Sequence, residues 1–130
     1  MKKINVKTSA RNQIIDITNE VKNYISETKT ISGIITIYSP HTTAGISVNE
    51  NADPDVKTDM LEFLKKLIPQ HQSFQHIEGN SDAHIKGSLL NFSQTFIIEN
   101  SCIQLGTWQG IFFMEFDGPR NREVWLKIIE

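Results

Sequence analysis

A single cysteine, Cys102, stands in 130 residues. That excludes an internal disulfide framework and fits a reducing compartment. No apolar run approaches the roughly 18 residues of a membrane span, so no membrane partner is expected. The opening stretch MKKINVKTSARNQ carries two lysines but no apolar core, which argues against a signal peptide. Neither sign of charge predominates. A net charge of −2 offers no general reason to expect nucleic acid as a partner. Internal repeats, low-complexity segments and linkers are lacking too. What remains is 38% apolar and 22% charged residues, ordinary for a soluble globular protein. The length suits one domain over residues 1–130, and the expected location is cytoplasmic.

Lys2 to Thr8 alternates polar and apolar residues, as a half-buried strand does. Ser9 to Asn12 reads as a turn into a second strand over Gln13 to Ile17, which predicts a hairpin. Thr18 can cap a helix whose apolar face carries Val21, Tyr24, Ile25 and Thr28. Gly33 to Ser39 is a β-branched run suited to a buried strand. Asp53 to Ile68 is the clearest helix, with Val56, Met60, Leu61, Leu64, Leu67 and Ile68 in an apolar stripe and Pro69 as the stop. A polar loop follows, and Asp82 can cap a short helix through Leu90 with Ile85 and Leu89 inward. Gln94–Ile98, Cys102–Leu105, Ile111–Asp117 and Glu123–Ile129 read as strands, with Cys102 a small core residue. The run IFFMEF is apolar on both faces, so it belongs in the centre of a sheet or under a neighbouring subunit. The order of elements predicts α+β: a sandwich on a mixed, largely antiparallel sheet with two or three helices.

The chain is organised around SPHTTAGISVNENADPDVKTD, residues 39–59. A strand end, a polar cluster and a helix start lie within about twenty residues, the parts from which metal and phosphate sites are built. Asp53 precedes Pro54, so a helix cap competes with a chemical role for that carboxylate. Glu50, flanked by two asparagines next to a helix start, is harder to explain structurally. His41 sits at a strand end, His76 in a loop and His84 at a helix start. Their spacing matches no local zinc motif, so any metal site must be assembled by the fold. Glu78, two residues after His76, is placed to orient a metal-bound imidazole or to act as a general base. Gly106 to Gly110 is a glycine-bracketed turn presenting Trp108 and Gln109. Arg120 and Arg122, in the loop that follows Asp117, are either solvated or an anion clamp, and Lys86 is placed to help hold the same anion.

PHTTAGISVNENADPDV, HIEGNSDAHIK and LGTWQGIFFMEFDGPRNR together resemble the YjbQ-like proteins in order and spacing, over nearly the whole chain. The motif histidines of that family fall on His41, His76 and His84, while His71 matches nothing. Its acidic and amide positions fall on Glu50, Asn51, Asp53 and Glu78, its GTWQG turn on Gly106 to Gly110, and its basic loop position on Arg120. The resemblance implies a homotrimer with sites near subunit boundaries and a bound metal or anion in the histidine cluster. It also implies a secondary thiamine-phosphate synthase activity. That reaction joins hydroxymethylpyrimidine pyrophosphate to a thiazole phosphate and releases pyrophosphate.

The leading expectation is therefore a metal-assisted enzyme acting on a small phosphorylated metabolite. His41, His76 and His84 would hold the metal, and Glu78, Glu50 or Asp53 would handle a proton. Arg120, Arg122, Lys86, Asn51, Trp108 and Gln109 would contact substrate. Zinc suits imidazole ligands, whereas magnesium arrives with a pyrophosphate. The alternative is a non-catalytic trimeric module that binds a small anionic metabolite.

Overall fold

The computed structural model describes residues 1–130. Eight strands and three helices follow one another as β1 (Lys2–Lys7), β2 (Gln13–Asp16), α1 (Thr18–Thr28), β3 (Gly33–Tyr38), β4 (Ala44–Glu50), α2 (Pro54–Leu67), α3 (Ser81–Leu90), β5 (Ser93–Glu99), β6 (Cys102–Ile103), β7 (Gln109–Glu115) and β8 (Asn121–Ile129). The strands form two sheets, one of order β1-β8-β3-β5-β6 and one of order β2-β7-β4. Every pairing is antiparallel. The fold is α+β, as the order of elements predicts.

The first two strands do not make a hairpin. β1 pairs with β8 and β2 with β7, so the turn at Ser9–Asn12 carries the chain from one sheet to the other. Alternation identifies a strand but not its partner, and long-range pairing here wins over the local one.

Between the sheets lies a core of fourteen buried residues, including Ile35, Ile37, Ile46, Ile111, Phe113, Val124 and Leu126, with Val21 and Ile25 from α1. On the other face of the small sheet, Phe112, Met114 and Phe116 join Ala83 in a second cluster, backed by Met60, Leu64 and Leu90 of the helices. β7 is thus apolar on both faces because it is covered on both, and Ile111 through Phe116 are fully buried within one chain. It is central, and it needs no neighbouring subunit to cover it.

Two details depart from the sequence pattern. α3 buries Asp82, Ala83, Lys86 and Gly87, while Ile85 and Leu89 face outward. A Cβ on Gly87 would stand 3.1 Å from the Phe92 ring, so this close-packed face turns inward and takes its charged neighbours with it. Cys102 is exposed on the short edge strand β6 rather than buried. The outer face of the large sheet carries Ile34, Tyr38, Ile97 and Ile129, each 40% exposed or more, around a half-buried Trp125.

Candidate functional site

The polar residues of the organising stretch lie at opposite ends of β4. Ala44 pairs with Glu115 and Glu50 with Gln109, so the two ends are about 20 Å apart at roughly 3.3 Å per residue.

At the Glu50 end, the Asn51 amide N–H donates to the Trp108 carbonyl at 2.9 Å. Its side-chain amide donates to Asp16 at 3.2 Å. Asn51 fits only because Gly110 has no side chain: a Cβ there would come within 2.5 Å of Nδ2. Gln109 folds back to accept from the Gly106 N–H, closing its own turn, and leaves Trp108 62% exposed. Burial works to raise the Asp16 pKa, but hydrogen bonds from Thr18 and Asn51, with Lys57 nearby, leave it lowered. Asp53 accepts from the Asp55 N–H at 2.9 Å, and Pro54 opens α2. The cap expected of Asp53 is present.

At the other end sits His41, between β3 and β4. The Glu123 backbone N–H lies 3.0 Å from its Nε2, and its ring stands edge-on to Phe113 at 6.5 Å. Burial, reinforced by the Arg122 charge, lowers its pKa and favours the neutral ring. Arg122 is buried and donates to both carboxylate oxygens of Glu115 and, at 2.8 Å, to Thr43. Thr8 Oγ1 donates to Glu115 as well, at 2.8 Å. Arg122 is therefore committed to the interior and unavailable to an anion clamp. A glutamate inside the run IFFMEF was the sequence signal for this network, since a buried carboxylate requires a cation.

His76 and His84 meet. Their rings are T-shaped with centroids 5.6 Å apart. The Gly79 backbone, at φ +74°, lies between the loop of His76 and the start of α3, a left-handed turn that glycine adopts without strain. Together with Phe74, Gln75, Ser81 and Ile85, the two histidines line an open surface groove of about 450 Å³. Glu78 Oε2 lies 3.6 Å from His76 Nε2. No group of three or more His, Cys, Asp or Glu side chains converges in the chain as a metal cage. Of the three histidines, then, the fold unites two and holds His41 against β8.

Neither Arg120 nor Lys86 lines the histidine cavity. Arg120 is half exposed and donates to the Asp117 carbonyl at 2.8 Å and to its carboxylate at 3.1 Å. Lys86 is buried, donating to Asp82 and Asn12. The sequence pattern missed Arg11, which bridges Asp82 at 2.9 Å and Asp117 at 3.1 Å, and Asn80, which donates to Asp117 at 2.8 Å. Burial alone would raise the Asp117 pKa, but Asn80, Arg120 and Arg11 hold it below its usual value.

The family described as UPF0047 protein YjbQ-like matches residues 2–130. UPF0047 protein MJ1081 of Methanocaldococcus jannaschii is 58% identical over 98% of this chain and 92% of its own. UPF0047 protein YugU of Bacillus subtilis is 51% identical, over 99% and 98%. A crystal structure of a yjbq/upf0047 family protein from Clostridium acetobutylicum superposes with a TM-score of 0.97 at 53% identity, covering 99% of this chain and 100% of that one.

Proposed function

The chain belongs to the YjbQ-like UPF0047 family, and from that premise we propose a cytoplasmic, metal-assisted enzyme acting on a phosphorylated small molecule. Thiamine-phosphate synthase activity is the reaction to assay first. The observation that carries this reading is the His76–His84 pair, with Glu78 beside it, at an open surface groove. The two imidazoles would supply two of the ligands of a zinc ion. A single chain is short of the three protein ligands that catalytic zinc sites use. A bound zinc or magnesium would supply charge stabilisation for a leaving pyrophosphate.

The chain's own residues divide the remaining work. Glu78 is within reach of His76 and exposed, suited to orient that imidazole or accept a proton. Arg120 offers an exposed guanidinium for a phosphate, and Trp108 an exposed indole for a flat heterocycle. Glu50 and Trp108 lie at the far end of β4, which argues for sites completed by another copy in a homotrimer. The apolar outer face of the large sheet is the surface suited to that contact.

The short ligand set also favours a second reading, a trimeric module that binds an anionic metabolite without turnover. One experiment separates them. Purified protein, with its metal content measured, is incubated with hydroxymethylpyrimidine pyrophosphate and thiazole phosphate. Metal-dependent release of pyrophosphate that is lost in His76→Gln supports the enzyme. Saturable stabilisation by either compound with no product supports the binder.

A further inference from the structure

Asp82 and Lys86 lie on a different face of α3 from His84 and Ile85, and that face opens on a second cavity. It holds about 240 Å³ between the β1–β2 turn, the C-terminal end of α2 and α3 itself. Apart from Pro69 its lining is polar, with Arg11, Asn12, Lys65, His71, Asp82 and Lys86 in it. Three cations drawn from three separate segments therefore share one small space.

Their hydrogen bonding is incomplete. Lys86 is only 2% exposed at its side chain, and its ammonium donates to Asp82 at 3.0 Å and Asn12 at 3.3 Å. An ammonium has three protons; the third has no hydrogen-bond acceptor, and the Phe116 ring centroid lies 5.8 Å from the nitrogen. Arg11 directs its two Nη atoms to Asp117 and Asp82, while its Nε is buried with no acceptor. That Nε is shut off from solvent and does not open on the cavity, so the donors available there are those of Lys86 and Lys65 and the outer edge of the guanidinium. Asp82 takes Arg11 at one of its oxygens and Lys86 at the other. Counting the neighbours as well, Arg11, Lys65, Lys86 and Arg120 stand against Asp82, Asp117 and Glu62. Positive charge is in excess.

We propose that this cavity is a seat for a phosphate group, held by Lys86, Arg11 and Lys65 and separate from the histidine pair. A phosphate has several acceptor oxygens facing different ways, which suits donors arriving from three segments, and its charge matches the excess of cations. The volume leaves room beyond one phosphate, so the group is either free or the end of a small phosphomonoester. The seat shares no lining residue with the His76–His84 cavity and does not depend on catalysis there.

The histidines report which cavity a phosphate enters, since His71 lines this one while His76 and His84 line the other. Imidazole resonances are assigned with His71→Gln, His76→Gln and His84→Gln. The protein is then titrated with inorganic phosphate, and separately with glycerol phosphate, at fixed pH and ionic strength. The expected result is a saturable shift of His71 with His76 and His84 unmoved. Saturation by inorganic phosphate alone identifies the free ion, and equal saturation by glycerol phosphate identifies the monoester. Lys86→Met should weaken binding about tenfold or more, and the half-exposed Lys65→Gln several-fold. Circular dichroism checks that each variant folds, and Lys65→Gln carries the test should Lys86→Met fail to. A stationary His71, movement of His76 and His84 in its place, or unchanged affinity in the folded lysine variants would overturn the proposal. No arm of the experiment reads turnover, so its failure leaves the histidine-site reading separately testable.

Discussion

Arg122 grips Glu115 through Nε and Nη2 at a place where the carboxylate is wholly out of solvent and the arginine only 7% exposed. The pair ties β8 to β7, bridging the two sheets, and the Phe116 and Asp117 N–H groups complete the set around the carboxylate. Arg122→Met should remove about 3–5 kcal/mol of stability, because a buried carboxylate loses its cation. Adding Glu115→Gln in that background should restore part of the loss by removing the charge. Urea unfolding of the three proteins measures both effects; an Arg122→Met protein as stable as the parent would refute the account.

Acidification should weaken the fold in two stages. The His41 pKa is lowered from 6.5 by burial and by Arg122, so below about pH 6.5 the unfolded chain binds this proton more readily. The stability His41 contributes is complete above that value and falls as the pH drops through the folded pKa. The Asp16 and Asp117 pKa values are lowered from 3.8, so their contribution is held above pH 3.8 and lost below it. Denaturant melts from pH 8 to 3 should show both declines, and His41→Gln should flatten the first alone.

Asp53 is first of all a helix cap. Asp53→Ala should lower stability by about 0.5–2 kcal/mol, and Asp53→Asn, which keeps a capping oxygen, by less. If Asp53→Asn instead abolishes turnover while the thermal melt is unchanged, the carboxylate has a chemical role as well.

Arg120 and His76 should fail in different ways. Arg120→Ala is expected to raise KM for a phosphorylated substrate about ten- to a hundred-fold and leave metal content unaltered. His76→Ala should lower both metal content and turnover while the fold survives, since His76 is exposed and lies outside the buried core. Steady-state kinetics with metal analysis distinguishes the two patterns.

Assembly should depend on the outer face of the large sheet and not on β7. Ile97→Lys or Ile129→Glu should convert a trimer to monomers in sedimentation velocity without unfolding the chain, as these side chains are 60% and 58% exposed. A wild-type monomer at micromolar concentration would remove the homotrimer from the proposal.

The sequence alone determined the fold class and most element positions. β-branched alternation, the Asp53-Pro54 start and the Pro69 stop are local signals that fix dihedral preferences wherever the chain goes. The motif blocks likewise identified the family. Tertiary structure decided whatever depended on partners distant in the chain. It separated β1 from β2, turned Lys86 inward beside Asp82, and drew Arg122 into the core to neutralise a glutamate that the run IFFMEF had carried there. It brought His76 to His84, eight residues away, but held His41 against β8 and left Glu50 about 20 Å along β4. Residue type and spacing could nominate these groups. Which of them meet is set by the burial of the two sheets against each other, because each buried charge must find its counter-charge at whatever distance in sequence the packing supplies one.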